Sequence, residues 1–259
     1  MRTDDTAEKA REAAAKAERR AKASRRIAAA LAIADDERAP IGEREAAAAL
    51  ASELMTRHGI EEAKARAERG EAPEGLTIKP FAVFGEDGFG QARGLLVALI
   101  ADAMGCRAIH KQARAPKPYT MILAGAESDV ESLRRLLPLI LAQAAYAAIT
   151  TTEPEQRRKR GFLPSFLVGY GMTVAERITA RRRPLVDEQT NPGAAVILAD
   201  RAERLAALIA ERFGELSSID AMEASANATA AGRRAGRGAD IGDPRMTPGN
   251  NGTSRAIDR

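Results

Sequence analysis

The chain has 259 residues, of which 45% are hydrophobic and 3% aromatic, and this balance predicts a folded protein with an aliphatic core. One cysteine excludes an internal disulfide framework and favours a reducing cytoplasm, while the longest apolar stretch, residues 136–149, is too short to span a bilayer. The formal net charge of +4 conceals a basic segment, because residues 154–183 carry 8 basic side chains against 2 acidic ones.

The first part of the chain has a helical pattern. Residues 7–25 alternate alanine with charged side chains and predict a solvated helical extension over residues 1–25. Ile27 and Leu31 begin an amphipathic helix, and a link containing proline and glycine separates it from a second helix over residues 43–57. Together the two helices predict a helical-hairpin domain over residues 26–70.

The second helix of this hairpin is followed by residues that predict its C-terminal end. Met55, Gly59 and Ile60 have the spacing of a Schellman closure, so we expect the helix to end at Gly59 in the left-handed conformation. His58 is then interpreted as a residue of the helix end rather than as a ligand. A third helix should follow at once and stop at Gly70.

The pattern changes after the linker-like residues 71–75. Residues 76–84 predict a strand that Pro80 places either at an edge of its sheet or at a bulge. A helix over residues 93–104 follows, closed by Gly105. Residues 106–112 and 119–124 are strand-like and predict a hairpin.

The next segment predicts a long helix. Ser128 and Glu131 have the spacing of a capping box at its start, and Pro138 should kink or divide it. Residues 164–180 predict another helix, and the apolar run 195–199 predicts one more strand.

The last predicted helix starts with a capping-box-like pair, Asp200 and Glu203, and ends at Gly214. The order of elements predicts an α+β fold, in which the N-terminal helical hairpin precedes a small, mostly antiparallel sheet packed with helices over residues 76–220. Residues 221–259 are rich in Gly, Arg, Asn and Pro, and we expect them to form a disordered tail.

Three phrases at the N-terminal end resemble a known family. They are residues 27–31, EAAAALASELM at residues 45–55 and HGI at residues 58–60. They are similar to the domain-of-unknown-function family 2786, which occurs in bacteria and their phages and contains a helical hairpin. Downstream, LIADAMGCR at 99–107, GAESDVE at 125–131 and SFLVG at 165–169 look like the α+β domain that often follows it. The resemblance implies an architecture and no catalytic residue.

The residue inventory argues against metal or cofactor chemistry. His58, His110 and Cys106 are the only nitrogen or sulfur ligands of the usual kind, too few for a structural zinc site. Cys106 and His110 lie four residues apart and should share one face of a strand. A Cys–His nucleophilic site is one reading of that pair, and a half-buried structural pair is the favoured one. We therefore expect no metal and no cofactor, and a non-catalytic role is favoured over an enzymatic one.

Clustered arginine and lysine side chains are the main functional signal. One cluster precedes the predicted helix 164–180, a second follows it, and a third lies in the tail. If these side chains contact phosphates, they predict binding of nucleic acid. If they are only solvated, they keep the surface polar and have no binding role. The residues are Arg157, Arg158, Lys159, Arg160, Arg181, Arg182, Arg183, Arg233, Arg234 and Arg237.

The function expected from the sequence is that of a non-catalytic, nucleic-acid-associated accessory protein of the cytoplasm that binds the phosphate backbone. One alternative is a protein–protein adaptor that docks a protein partner on the helices of residues 27–69. Another is a hydrolase of a type that the sequence does not reveal. No membrane partner is expected.

Overall fold

The computed structural model describes residues 18, 21–23, 25–30, 32–33, 38, 41–83, 89–110, 119–186, 192–216 and 225–239. The strands are β1 (Leu76–Ala82), β2 (Arg107–His110) and β3 (Thr120–Ala126). The helices are α1 (Ile41–Glu68), α2 (Gly90–Ala103), α3 (Glu127–Thr150), α4 (Pro154–Arg157), α5 (Phe162–Val186), α6 (Pro192–Phe213) and α7 (Ala226–Arg237).

The sheet has three antiparallel strands in the order β1-β3-β2. The edge position predicted for β1 is confirmed, since a proline at position 80 cannot donate to a ladder. The predicted hairpin is also confirmed, because β2 pairs with β3. Helices cover the sheet, so the α+β class holds. Most of residues 1–25, expected to form a charged extension, lie outside the described residues.

One hydrophobic core joins the sheet to α2, α3 and α5. Leu96 of α2, Leu133 of α3 and Phe166 of α5 are each 0% exposed. Tyr170 is also buried, and its hydroxyl donates to the amide oxygen of Gln143 at 3.3 Å. This bond satisfies two polar groups inside the core and fixes α5 against α3.

The N-terminal helices are present, but the predicted stop at Gly59 is wrong. Residues 25–30 and 32–33 are helical, and Ile27 lines a cleft together with His58 of α1, so the two helices approach each other at these residues. Helix α1 runs through Gly59 without interruption and ends before Gly70, whose φ is +64°. Gly59 is buried, and a Cβ built on it would lie 3.6 Å from the Ser128 hydroxyl. This glycine therefore lies at the contact between α1 and α3 and does not end a helix.

The predicted capping box at the start of α3 is also wrong. Helix α3 begins directly after β3, so Ser128 is already inside its first turn and its hydroxyl accepts no capping bond. Its backbone N–H donates instead to the carboxylate of Glu74 at 2.8 Å. Glu131 faces outward and pairs with Arg135 at 3.2 Å. Pro138 lies inside α3, which continues past it as one helix.

The strand predicted for residues 195–199 is helical. Helix α6 spans them, and its core-facing residues Ala194, Leu198, Arg201 and Leu205 follow a helical repeat. Asp200 therefore does not cap a helix but pairs with the residue four positions on, Arg204, at 2.8 Å. The end predicted at Gly214 is correct, since its φ is +67°.

The expectation of disorder for residues 221–259 fails for residues 225–239. Residues 226–237 form α7, which the Ser225 hydroxyl caps by accepting from the N–H of Ala228 at 3.4 Å. Helix α7 contains no large apolar side chain, and it is held by close backbone contact with α5 rather than by hydrophobic bulk. The remainder of the tail lies outside the described residues.

Candidate nucleic-acid interface

Helices α5 and α7 pack in parallel through glycines. The N–H of Ser225, before α7, donates to the Ser165 hydroxyl near the start of α5 at 3.0 Å. Further along, a Cβ built on Gly232 would lie 2.0 Å from the carbonyl oxygen of Phe166, and one built on Gly169 would lie 2.2 Å from that of Thr229. Only glycine permits this approach, so the glycines set the distance between the helices.

Two arginines join the end of α7 to α5. Arg177 of α5 donates to the carbonyl oxygens of Gly236, at 3.0 Å, and of Ala239. These carbonyls belong to the end of α7, where a cation complements the helix dipole. Arg233 of α7 pairs in turn with Glu176 of α5 at 2.7 Å. Arg177 was not among the residues singled out from the sequence, because its partners lie about sixty residues away.

The first predicted basic cluster divides into one structural residue and three exposed ones. The Arg157 guanidinium donates to the carbonyl oxygens of Ile149, at 2.8 Å, and of Thr152, so it caps the end of α3. Arg158, Lys159 and Arg160 are exposed in the turn between α4 and α5.

The second predicted cluster lies inside α5, whose last residue is Val186, rather than after the helix. Arg182 is partly buried and donates to the carbonyl oxygen of Met104, just after α2. Burial lowers the pKa of Arg182 from its ordinary value, while the nearby Asp129 opposes that shift. Arg181 is partly buried as well, and Arg183 is exposed.

Helices α5 and α7, with the turn before α5, are called the α5–α7 layer below. Six exposed cations of this layer have no ion-pair partner among the residues that the structure describes. Some exposed arginines elsewhere are ion-paired, as Arg57 with Glu53 at 3.1 Å and Arg107 with Asp102, while others, as Arg26 and Arg212, have no ion pair in the described residues. Helix α5 has 25 residues and is therefore about 37 Å long, which separates the cations at its start from those at its end. The six are Arg158, Lys159, Arg160, Arg183, Arg234 and Arg237.

Cys106, His110 and His58 each lie in a different structural environment. Cys106 is buried, and burial raises the pKa of its thiol to about 12, so it stays protonated and unreactive at neutral pH. The His110 ring stacks on Tyr119 with 4.1 Å between centroids, and burial lowers the pKa of His110. His58 lies within α1. In the described parts of the chain, no three His, Cys, Asp or Glu side chains are placed to hold a metal ion.

Fold and surface together define an α+β protein in which a parallel pair of helices carries unpaired cations. Residues 22–62 match the model of a family described as a protein of unknown function, DUF2786, which confirms the resemblance of that segment. No curated protein and no solved structure matches the chain. None of the helices in the described residues has the length and apolarity that crossing a membrane requires.

Proposed function

We propose that this protein binds nucleic acid through the phosphate backbone, without catalysis, using the six exposed cations of the α5–α7 layer. The observation that carries the proposal is that six exposed cations without an ion-pair partner in the described residues are grouped on three segments, the turn before α5, the end of α5 and the end of α7. An unpaired exposed cation needs no bond broken before it contacts a phosphate.

The dimensions of the layer favour a duplex over a single strand. One turn of duplex DNA advances about 34–36 Å, close to the 37 Å or so between the two ends of α5. Binding of single strands relies on aromatic side chains that stack on bases. Here Phe162, Phe166 and Tyr170, the aromatic residues of α5, are at most 6% exposed, so they offer no stacking surface.

A salt titration tests the proposal. The full chain is titrated into a labelled duplex of about two turns, and into a single strand of the same length, while salt is raised from about 50 to 200 mM. We expect binding that weakens steeply with salt and is stronger for the duplex. Absence of binding at the lowest salt would overturn the proposal.

Two triple variants locate the contacts. One replaces Arg158, Lys159 and Arg160 with glutamine, and the other replaces Arg183, Arg234 and Arg237. Each should reduce the slope of log affinity against log salt by about 2–3, because each lost phosphate contact removes about 0.9.

A matched control replaces three exposed, ion-paired arginines and changes the net charge equally: Arg57, Arg107 and Arg135 become glutamine. The control should retain most of the binding. Equal losses in all three variants would mean that only total charge matters and that the α5–α7 layer is no interface.

A further inference from the structure

A cleft of about 300 Å³ lies where the end of α2, the start of α3, the end of α5 and the middle of α6 meet at the sheet. This volume lies at the lower end of the ~300–1,000 Å³ that is usual for small-molecule sites. Most of its wall is apolar, formed by Leu76, Ala103, Ala126, Leu198, Ala202 and Leu205.

The polar end of the cleft contains Arg182, Arg183, Arg201 and Asp129. Arg201 is 8% exposed and is satisfied by two carboxylates, those of Glu74 at 2.7 Å and Asp129 at 3.3 Å. Asp129 is therefore already committed to an arginine on the opposite side of the cleft. Asp102, also in the lining, pairs with Arg107.

Arg182 is the charged group of the cleft that this network leaves without a carboxylate partner. Its guanidinium donates one hydrogen bond to the Met104 carbonyl and has no carboxylate within ion-pair distance among the residues that the structure describes. A guanidinium carries five N–H donors, so most remain for another partner. Buried charges are normally paired, since an unpaired one loses hydration without compensation. Arg183, the next residue, adds an unpaired cation at the same cleft.

We propose that the cleft binds a small organic anion, with its carboxylate or phosphate group on Arg182 and Arg183 and its apolar part against α6. The charges agree with this assignment, because the two aspartates of the lining are paired and two of its three arginines are not. The oxyanion would supply the acceptors that Arg182 lacks, and planar guanidinium groups bind both kinds of oxyanion with paired hydrogen bonds. The apolar wall explains why an organic anion should bind more tightly than an inorganic one.

The probes are benzoate and phenyl phosphate, with inorganic phosphate and neutral benzamide for comparison, each titrated into the full chain by calorimetry. We expect at least one aromatic anion to bind roughly tenfold or more tightly than inorganic phosphate and benzamide. Equal binding of benzamide would show that the charge contributes nothing and would overturn the proposal. Binding of no aromatic anion would do the same.

Variants on α6 and α5 place the ligand. Ala202→Phe fills the cleft from an exposed helix position, and Ala206→Phe adds the same ring one turn further on, at an exposed alanine that does not line the cleft. We expect Ala202→Phe to weaken anion binding roughly tenfold or more and Ala206→Phe to leave it unchanged. Arg183→Gln should weaken it severalfold. Unchanged anion affinity in Ala202→Phe would overturn the site.

The same variant separates this inference from the proposed function. Ala202→Phe leaves all six exposed cations in place, so its affinity for the duplex should equal that of the original chain. Loss of anion binding with intact duplex binding supports a distinct ligand site that shares only Arg183 with the nucleic-acid surface. Loss of both in a variant that still unfolds cooperatively would mean that the cleft is part of the nucleic-acid surface and holds no separate ligand.

Discussion

Replacing Gly232 with alanine tests whether α7 packs on α5 as closely as the backbone atoms place it. The new Cβ would lie 2.0 Å from the Phe166 carbonyl oxygen, whereas ordinary contact starts at 3.4 Å, so the helices must separate by the difference, about 1.4 Å. The obstacle is backbone and cannot rotate away, which places the cost near the upper end of the ~1–3 kcal/mol typical of overpacking. Alanine regains about 1 kcal/mol of helix propensity, so the net loss should be about 2 kcal/mol.

Urea unfolding measures this loss, and hydrogen exchange of the α7 amides shows whether it is local. Gly193→Ala is the matched control, because Gly193 is also helical but the nearest atom to its added Cβ, on Lys64, is 3.6 Å away. The control should be neutral or slightly stabilising. If Gly232→Ala were as stable as the original chain, with equal protection of α7, the close packing of the two helices would be refuted.

Two further predictions concern Gly59 and Cys106. Gly59→Ala should stabilise the protein by about 0.5–1 kcal/mol in urea unfolding, since Gly59 is helical with ordinary contact distances; a destabilisation would favour the Schellman closure instead. The pKa of Cys106 is raised in the folded state from 9.0 to about 12, so its thiol adds stability that is complete below pH 9 and declines as pH rises from there toward 12, by up to about 1.4 kcal/mol per pH unit. Cys106→Ala should lack this decline when its unfolding free energy is compared with that of the original chain at about pH 8 and pH 10, and identical pH slopes would contradict the prediction.

Local signals in the sequence predicted most of the sheet region. Gly70, Gly105 and Gly214 were each placed at a helix end, and all three have positive φ. The prediction for Gly59 was wrong because glycine has two structural roles: it adopts a left-handed turn, or it allows two helices to approach closely. Which of the two applies depends on α3, which begins nearly seventy residues later.

Helix α7 could not be predicted from hydrophobicity. Its buried residues, Ala228, Gly232 and Gly236, are small, and the same composition is typical of disordered segments. What orders it is the matching glycine at position 169 in α5, a pairing visible only once the two helices are side by side. The strand prediction for residues 195–199 was wrong for another reason. A short apolar segment has too few residues for its pattern to distinguish a strand from a buried helix.

The basic clusters were predicted from composition, but the division of each cluster into structural and exposed residues was not. Arg157 and Arg182 donate to backbone carbonyl groups, while Arg158 and Arg183, the residues that follow them, remain exposed. Backbone acceptors have no sequence signature, so nothing in an arginine run indicates which member will cap a helix. Only the folded chain separates structural arginines from those left for a ligand.

The contacts of Glu74 and its neighbour limit where the chain can be cut into independent fragments. Its carboxylate binds the N–H of Ser128 and the Arg201 guanidinium, its carbonyl accepts from Arg204, and the neighbouring Gly75 carbonyl accepts from the N–H of Glu127. A fragment starting at Leu76 would lose all four acceptors and leave the start of α3 uncapped. The α+β part therefore needs residues 74 and 75, which lie outside the family-matching segment of residues 22–62, and an exchange of N-terminal parts has to leave both residues with it.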